Sequence, residues 1–565
     1  MRNLALATLI LLAACRPPGP APTVTSPSQH DHGGHDHGGH VHGGNGTALA
    51  PLLEGLGALH HPVTTSSPRA QRFFDQGLRL TYAFNHTEAL RAFREAARLD
   101  PDCAMAHWGQ ALALGPNIND AMPAEREEQA LTAIRAAQAR AGGASDSEQA
   151  YIAALATRYG TPAGENREAR NAAYTDAMQA LATHFPTDAD ALTLYGAAIM
   201  NQIPWDYWET PDTPRAPTRA AIATLEAAIA VDPDHPGAHH YYIHIVEASS
   251  DPDRAEPSSD RLAALMPGAG HLVHMPAHIY VRVGRYADAV DANVEAIAAD
   301  EDYIAQCRAQ GLYPVGYYPH NVHFLWYAAT EGGERAVALD AARKTGTKAP
   351  HDQLHDYVML RDFLVAPMQA LARFGRWDEI LALPEPDDPF ARGVWHHVRS
   401  LALTAHGRLA DAEADIRALD AVIADPATAP LMAGWGAVPA PTVLQIARAV
   451  SVGRLAARRG RFDEAIVALH RGVALQDDLP YNEPPTWHQP LRHILGAILL
   501  DAGRADEAET VYRKDLEDHR ENGWALFGLL QSLRVQAKEG EAEETETRFR
   551  KAWRRADFTL TASQF

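Results

Sequence analysis

The sequence predicts an all-α fold, a solenoid of helix pairs. Alanine-rich segments with helical spacing of apolar residues run from Pro68 to the end of the chain. Short Gly-Arg and Asp-Pro sequences interrupt these segments at intervals, as turns between helices do. No stretch of alternating β-branched residues competes with them. The body of the chain is therefore predicted to be helical, and its regular interruptions indicate a repeat.

The first copy of that repeat is anchored by Gly77. Ala89, Phe93, Ala96 and Pro101 follow it at fixed spacings. Small residues let two helices approach closely, Phe93 fills the gap between them, and Pro101 ends the second helix. The pattern resembles the tetratricopeptide repeat (TPR), a helix-turn-helix unit of roughly 34 residues. This resemblance implies a right-handed solenoid with a concave groove and on the order of ten helix pairs.

Further copies cover most of the chain beyond residue 50. They lie at Ala221, Leu225, Ala228 and Pro233; Gly284, Tyr286, Ala289 and Ala296; Gly375, Trp377 and Ile380; Gly407, Leu409 and Ala412; Gly460, Phe462, Ala465 and Leu469; and Gly496, Gly503, Ala508 and Tyr512. Because several copies are in phase, the repeat is predicted for residues 50–557, with a C-terminal tail at 558–565.

Some segments do not fit the repeat and are expected to be insertions at turns. They are Asn117–Arg126, Gly142–Glu165, Ile203–Pro217, Pro384–Asp388, Ala424–Ala440 and Asp478–Pro490. Insertions in a solenoid often lie over one face. Several of these contain large aromatic residues that either cap helix ends or wall off a cavity: Trp205, Tyr207, Trp208, Trp435 and Trp487.

The N-terminus predicts export and a lipid anchor. Residues 1–15 contain a short apolar run, too short to remain as a membrane span, and end in Leu-Ala-Ala-Cys. This ending resembles the lipobox of bacterial lipoproteins, which implies that Cys15 is lipidated and becomes the mature N-terminus. An ordinary signal peptide is the alternative. The resemblance implies a cell-envelope location, facing the periplasm or the surface, and Arg16 after the cysteine favours the outer membrane.

Residues 16–49 are rich in proline, glycine and histidine and are predicted to form a tether. Six histidines alternate with Asp, Val and Gly there: His30, His32, His35, His37, His40 and His42. Such spacing can wrap an exchangeable Zn, Cu or Ni ion with imidazole nitrogens. The alternative is a soluble spacer, and the two readings are compatible.

Charge and cysteine content narrow the classes of partner. The formal net charge of −21 argues against nucleic acid, because phosphate binding needs a basic surface. No other apolar run is long enough to cross a bilayer, so only the lipid anchor is expected to contact the membrane. With Cys15 lipidated, Cys103 and Cys307 are the remaining cysteines, and the sequence leaves open whether they pair.

Histidines are concentrated between residues 235 and 323. Two groups have the spacing of one helix face, and a third group follows them: His240, His244 and Glu247; His271, His274 and His278; and His320 with His323. In tetratricopeptide proteins the second, fifth, ninth and twelfth residues of each first helix line the groove. With units starting at Pro236 and Gly270, the resemblance places the first two groups at those positions.

Imidazoles together with a carboxylate are suitable ligands for Zn, Cu or Fe, so the groove is predicted to hold one or two transition-metal ions. The alternative is an aromatic, hydrogen-bonded groove for a protein, peptide or small molecule, with Tyr241, Tyr280, Tyr318 and Trp326 on its wall. Pro276 complicates the second group. If a helix begins at Pro276, His274 becomes a capping residue and His271 a loop residue.

Three functions are compatible with this pattern. The first is a lipid-anchored binding protein that holds a ligand or partner in a metal-containing groove. The second is a metal-dependent hydrolase or oxidoreductase, in which Glu247 acts as ligand or general base. The third is a metal-free scaffold for envelope assembly. Motifs for a nucleophilic serine, a phosphate-binding loop and an H-E-x-x-H zinc site are all missing from the sequence.

Overall fold

The computed structural model describes residues 48–307, 313–355 and 357–565. The predicted signal peptide, Cys15 and the six tether histidines lie outside the described residues. Within them, Cys103 is a buried free thiol.

The described residues form 25 α-helices, numbered here in chain order. From α1 to α13 they are Pro68–Tyr82, His86–Leu99, Ala104–Leu114, Ala124–Arg140, Asp146–Ala156, Arg167–His184, Ala189–Met200, Ala216–Val231, Pro236–Val246, Glu256–Leu265, Gly270–His274, Pro276–Arg282 and Tyr286–Cys307. From α14 to α25 they are Tyr318–Gly332, Arg335–Thr347, Leu360–Arg373, Trp377–Leu381, Pro389–Ala405, Leu409–Ala424, Ala440–Arg458, Phe462–Asp477, Leu491–Asp501, Ala505–Asp518, Gly523–Val535 and Glu539–Ala552.

These helices form twelve consecutive pairs in the described part of the chain, with α11 and α12 together making one first helix. The prediction of a tetratricopeptide-type solenoid is confirmed, with two more pairs than the approximate ten. In several pairs a glycine with positive φ makes the turn between the two helices. Gly284, at φ +82°, is one example, and residues with a Cβ atom rarely adopt this backbone conformation.

Close packing of glycine against an aromatic ring holds the pairs together, as the spacing of the first copy predicts. A Cβ atom on Gly77 of α1 would lie 2.7 Å from the ring of Phe93 on α2. Gly109 of α3 faces the same ring, so Phe93 packs between three helices. Gly496 and Gly528 enclose the ring of Tyr512 in the same way near the C-terminus. Packing this close leaves no room for even one added methyl group.

The solenoid curves tightly enough to close part of its concave side. Helix α1 packs against α9, although four repeats separate them in sequence, and α14 packs against α24. The first helices α9, α11, α12 and α14 therefore meet in the interior, where their side chains are buried. Residues that would line an open groove in a wider solenoid lie in a core here.

Two insertions form short β-hairpins that cover this interior. Strands β1 (Trp208–Thr210) and β2 (Thr213–Pro214) pair between α7 and α8, and β3 (Met432–Ala433) and β4 (Val438–Pro439) pair between α19 and α20. The prediction that residues 142–165 are an insertion at a turn is wrong in part. Helix α5 lies there, and the Ser145–Glu148 capping box begins it.

The last residues pack onto the solenoid. Leu560 and Ser563 are buried, and the Phe565 ring lies 5.9 Å from that of Trp524. Among the described helices, none combines the length and the apolar character needed to cross a bilayer.

Candidate functional site

Six histidines from four neighbouring helices converge in the closed interior. Helix α9 supplies His240 and His244, α11 supplies His271 and His274, α12 supplies His278, and α14 supplies His320. Each of these residues is at most 7% exposed. A packed core rarely contains imidazole at this density, because each buried ring nitrogen needs a partner.

Helix periodicity explains why two pairs share a face. His240 and His244 are four residues apart within α9. His274 and His278 are also four apart, although Pro276 begins α12 between them. Met275 keeps helical dihedral angles (φ −51°, ψ −36°), so the chain continues in the same direction through the break. The proline therefore leaves all three histidines of this segment in the interior.

The six rings form two groups of three. In the first triad, one ring nitrogen from each of His240, His244 and His271 lies within 4.8 Å of the others. The Nε2 atoms of His240 and His271 are 3.1 Å apart. This is the spacing at which three imidazoles can coordinate one metal ion.

The second triad has the same arrangement. His274, His278 and His320 place one nitrogen each within 4.8 Å of the others. His274 Nε2 lies 2.8 Å from His278 Nε2 and 3.1 Å from His320 Nε2.

The triads are neighbours. The ring centroids of His244 and His278 are 5.8 Å apart, and those of His271 and His274 are 6.1 Å apart. Two metal ions held by these triads would therefore be close neighbours in the buried interior.

Hydrogen bonds fix the orientation of two rings in the first triad. His240 Nδ1 lies 2.6 Å from the carbonyl oxygen of Tyr82, and His244 Nδ1 lies 2.9 Å from Glu247 Oε1. A carbonyl and a carboxylate only accept, so both Nδ1 atoms carry the proton. Both Nε2 atoms then present a lone pair to the centre of the triad.

The second triad follows the same logic. His278 Nδ1 donates to Glu247 Oε2 at 2.5 Å, and His274 Nδ1 donates to Asn293 Oδ1 at 2.7 Å. The Asn293 amide nitrogen donates to the Ala289 carbonyl, which fixes the amide orientation. Glu247 thus supplies one oxygen to each triad and joins them through their outer hydrogen bonds.

The third histidine of each triad has a free outer nitrogen. Nδ1 of His271 and Nδ1 of His320 are buried and have no hydrogen-bond partner in the described part of the chain. Nε2 of His244 is buried without a partner as well. Neutral His274 and His278 would direct two lone pairs at each other across 2.8 Å, so a cation between them is required. That cation is either a metal ion or a proton.

Burial sets the charge of these rings. It lowers the pKa of His240, His271, His274 and His320 well below the ordinary value, and neighbouring imidazoles add to the effect. Burial also lowers the pKa of His244. These five rings are therefore neutral at pH 7, the form that binds metal.

His278 differs from the other five. Burial alone would lower its pKa, but the Glu247 carboxylate outweighs burial and raises it. Burial opposes the charge of Glu247 too, and His278 and His244 nonetheless hold the pKa of Glu247 below its ordinary value. Burial raises the pKa of Glu483, whose Oε2 lies 3.5 Å from His278 Nδ1. The second triad therefore has the one proton-binding ring.

Aromatic rings wall the two triads. Phe84 packs on all three rings of the first triad. Trp205 meets His244 edge to face, with 5.3 Å between the ring centroids. Phe324 packs on all three rings of the second triad, and Trp435 lies 5.2 Å from His320. Trp205 and Trp435 come from the insertions that the sequence predicts to cap helices or wall a cavity.

The other predicted site residues have different positions. His323 lies outside both triads, packed against Trp326 and Phe363. Glu247 contacts the outer nitrogens of two histidines rather than their Nε2 atoms. Tyr241 stacks on His240.

Two predicted groove aromatics face away from the centre. The Tyr280 hydroxyl donates to Asp260, and the Tyr318 hydroxyl donates to Glu301. Trp326 is buried beside His323 and His488. All four predicted groove aromatics are buried: Tyr241, Tyr280, Tyr318 and Trp326.

Several residues at the site escape sequence reasoning. Tyr82 acts through its carbonyl oxygen, and Asn293 is a single amide on α13 without a spaced partner. Tyr481 and Glu483 come from the insertion at 478–490, where the Tyr481 hydroxyl donates to Glu483. The proline-rich composition of that insertion is the one signal that marks it.

A separate group near the first repeat is structural. His61 Nδ1 lies 2.8 Å from Asp190 Oδ2. Asp190 Oδ1 also accepts from the Tyr82 hydroxyl at 2.6 Å and from His235 Nε2 at 3.0 Å. Because these partners occupy the carboxylate, the group connects the N-terminal segment to α7 and indirectly supports the Tyr82 carbonyl that binds His240.

The comparisons with known proteins concern the fold alone. No protein-family model and no curated protein matches the chain. Among solved structures, the chain is similar to the human IFIT1 dimer with m7Gppp-AAAA (12% identity, 88% of this chain and 92% of that chain, TM-score 0.30). It is also similar to the human IFIT1 dimer with PPP-AAAA (11% identity, 85% and 89%, TM-score 0.29). A third likeness is to the P58(IPK) TPR domain (12% identity, 83% and 99%, TM-score 0.23).

The helices and the site together define a class of protein. It is a tetratricopeptide-type solenoid, all-α in its described part apart from two short hairpins, and it encloses buried groups of histidines that could hold metal ions.

Proposed function

We propose that this chain is a metalloprotein with a two-metal centre in which each triad holds one transition-metal ion through three imidazole Nε2 atoms. Three protein ligands leave an open coordination position on each ion, as in catalytic rather than structural sites. The observation that carries the proposal is that four of the six rings have a hydrogen-bond acceptor at their outer nitrogen, Nδ1. Four outer nitrogens are committed as donors, so the inner nitrogens offer lone pairs.

Copper is the metal that this donor set favours, ahead of zinc and iron. Every candidate donor in the triads is an imidazole nitrogen, and His278 gives up its Nε2 proton when it binds a metal ion. The nearby Glu247 carboxylate is occupied by His244 and His278. Imidazole suits Cu, Zn and Fe, and among divalent ions copper binds such sites most tightly.

The centre has the features of an oxidoreductase site. Open positions on two neighbouring ions would give a small molecule two points of attachment in the interior beside Phe84 and Phe324. If the two triads each held a copper(I) ion, the pair would supply the two electrons needed to reduce dioxygen to the peroxide level. Hydrolysis is less favoured, because Glu247, the general base in that alternative, is already hydrogen-bonded to two histidines.

The N-terminal expectations are part of the proposal. A lipid on Cys15 would hold the protein in the cell envelope, and the histidines at 30–42 would bind exchangeable metal next to the folded body.

Elemental analysis of the metal-loaded chain tests the proposal. The six tether histidines are first replaced by glutamine so that they do not contribute metal. We expect two copper ions per chain, and one ion per chain in His271→Asn, whose outer nitrogen has no partner to lose. His470→Ala, an exposed histidine, is the control and should keep both ions. Less than one ion per chain, or equal loading of His271→Asn and the control, would overturn the two-metal centre.

A further inference from the structure

A small buried pocket lies beside the second triad. The ring centroids of Trp435 and His320 are 5.2 Å apart, and Trp435 also lines this pocket. A single indole ring therefore separates the pocket from the second triad. Its present volume is about 10 Å³, room for about one water molecule. His323, Trp326, Asp362 and His488 also line it.

Three polar groups on the pocket wall have no partner. Nδ1 of His323, Nδ1 of His488 and Nε1 of Trp326 are buried and unpaired in the described part of the chain. Burial lowers the pKa of His323 to about 3 and that of His488 well below its ordinary value, so both rings are neutral. An indole N–H needs an acceptor, while a neutral imidazole either donates or accepts. A hydroxyl group satisfies both kinds of partner at once.

The remaining wall combines apolar and aromatic side chains with the uncharged polar side chains of Gln369, Asn482 and Thr486, which suits a flat, uncharged guest. Trp326, Trp435 and Phe390 present aromatic rings, and Pro484 and Pro485 present apolar surfaces. No lysine or arginine lines the pocket, which disfavours an anion. The one carboxylate, Asp362, already accepts hydrogen bonds from the backbone of Gly434 and Trp435, which leaves little to attract a cation.

The hairpin that carries Trp435 can act as a hinge. Gly434, Trp435 and Gly436 have φ values of 56°, 57° and 87°, so the tryptophan itself has a left-handed backbone between two glycines. Such a conformation is costly for a bulky residue and persists only where its surroundings stabilise it. The contacts of Trp435 with Asp362 and His320 provide that stabilisation in the closed arrangement.

We propose that this pocket is the binding site for a neutral hydroxylated aromatic molecule, a phenol, which is admitted when the Trp435 indole moves aside. The phenol ring lies among Trp326, Phe390 and the two prolines, and its hydroxyl group bonds to His323, His488 or the Trp326 indole. Its role as a substrate rests on the proposed metal centre, one ring away. Its binding does not require metal.

Fluorine NMR of 4-fluorophenol with the full chain tests this site, with and without copper. We expect saturable binding to both forms. His488→Phe should weaken binding at least tenfold, and Trp326→Phe, which removes the N–H while keeping an aromatic ring, should weaken it severalfold. Trp435→Ala should accelerate exchange of the bound probe. Trp205→Ala, the corresponding tryptophan at the first triad, is the matched control and should change neither affinity nor exchange.

Several outcomes would refute the phenol site. They are absence of binding, equal binding to wild type, His488→Phe and Trp326→Phe, or equal binding of 4-fluorobenzoate, a charged ring of similar size. Failure of the metal centre has a different signature. In that case copper does not load, whereas 4-fluorophenol still binds the metal-free chain and responds to these variants.

Discussion

The two triads share one design but differ in their surroundings. Each combines a pair of histidines four residues apart with a third from another helix, and Glu247 supports one ring of each. The first triad lies under Phe84 and the half-exposed Trp205, which is 47% exposed. The second lies beside a polar pocket and contains His278, the ring that Glu247 favours in its protonated form.

This difference indicates a division of roles. The first triad consists of neutral rings, two of them fixed by acceptors, and is suited to holding an ion permanently. The second triad combines an ion site with a proton-binding ring and access to a pocket. A guest in the pocket would therefore lie nearer to an ion held by the second triad than to one held by the first.

Removing Glu247 is expected to have the largest effect, because it disrupts both triads. Glu247→Ala leaves the outer N–H groups of His244 and His278 without acceptors in a buried site. Loss of a buried charged partner costs on the order of 3 kcal/mol or more. We expect the free energy of unfolding to fall by about that amount in urea titrations, and metal content to fall from two ions per chain to below one.

Glu247→Gln sharpens this prediction. The amide keeps one acceptor oxygen but turns its NH2 group towards the other histidine. It should therefore disable one triad more than the other and retain about one ion per chain. If Glu247→Ala still loaded two ions, the carboxylate would not support the triads as described.

Replacing one third ligand at a time should separate the triads. His271→Asn and His320→Asn each remove a ring whose outer nitrogen has no partner, so the fold loses few hydrogen bonds. Each variant is expected to lose one ion and keep the other. Copper titration followed by absorption should show one tight site in each variant, with spectra that differ between the two. Loss of both ions in either variant would mean that the triads form a single indivisible site.

The sequence predicts which helix faces carry the histidines, but not which residues those histidines contact. Helix periodicity is local, so the spacing of His240, His244, His274 and His278 was enough to place them on interior faces. The His240 partner, by contrast, is the carbonyl of Tyr82, 158 residues away. That contact depends on how tightly the solenoid closes, which is the sum of small rotations over several repeats.

The same reasoning explains the other differences. Residues 115–123 separate α3 from α4, and residues 157–166 separate α5 from α6, so the small residues of these pairs lack the spacing of the repeat. His323 is three residues from His320, a spacing that allows a shared face. It nevertheless packs against Phe363 and lines the neighbouring pocket. Sequence spacing predicts which residues share a helix face, but the packing of neighbouring helices determines which residues that face contacts.

Asn293 offers a more selective change, confined to the second triad. Asn293→Leu removes the acceptor behind His274 and leaves the outer hydrogen bonds of His240 and His244 in the first triad intact. Loss of such an outer partner typically costs 10–100-fold in metal affinity. Competition with a chelator should show that one of the two ions binds 10–100-fold more weakly while the other is unchanged. An equal weakening of both ions would contradict the independence of the two triads.

The smallest expected effect is a difference in pH dependence between two histidines that share Glu247. His244 has a lowered pKa in the folded chain, so the unfolded chain binds its proton first as pH falls below about 6.5, and stability is lost on acidification. His278 has a raised pKa, so its contribution is fully present below about 6.5 and is lost as pH rises through the folded value. Each group changes the slope by at most about 1.4 kcal/mol per pH unit.

Metal-free His244→Gln should therefore have a shallower loss of stability below pH 6.5 than the wild type, when free energies of unfolding are measured by urea titration from pH 5 to 8. His278→Gln should instead gain stability more steeply with pH above 6.5, because the opposing contribution is gone. Identical pH profiles for the two variants would show that Glu247 does not distinguish the triads. Opposite changes would locate the proton of the metal-free centre on the second triad, the one beside the pocket.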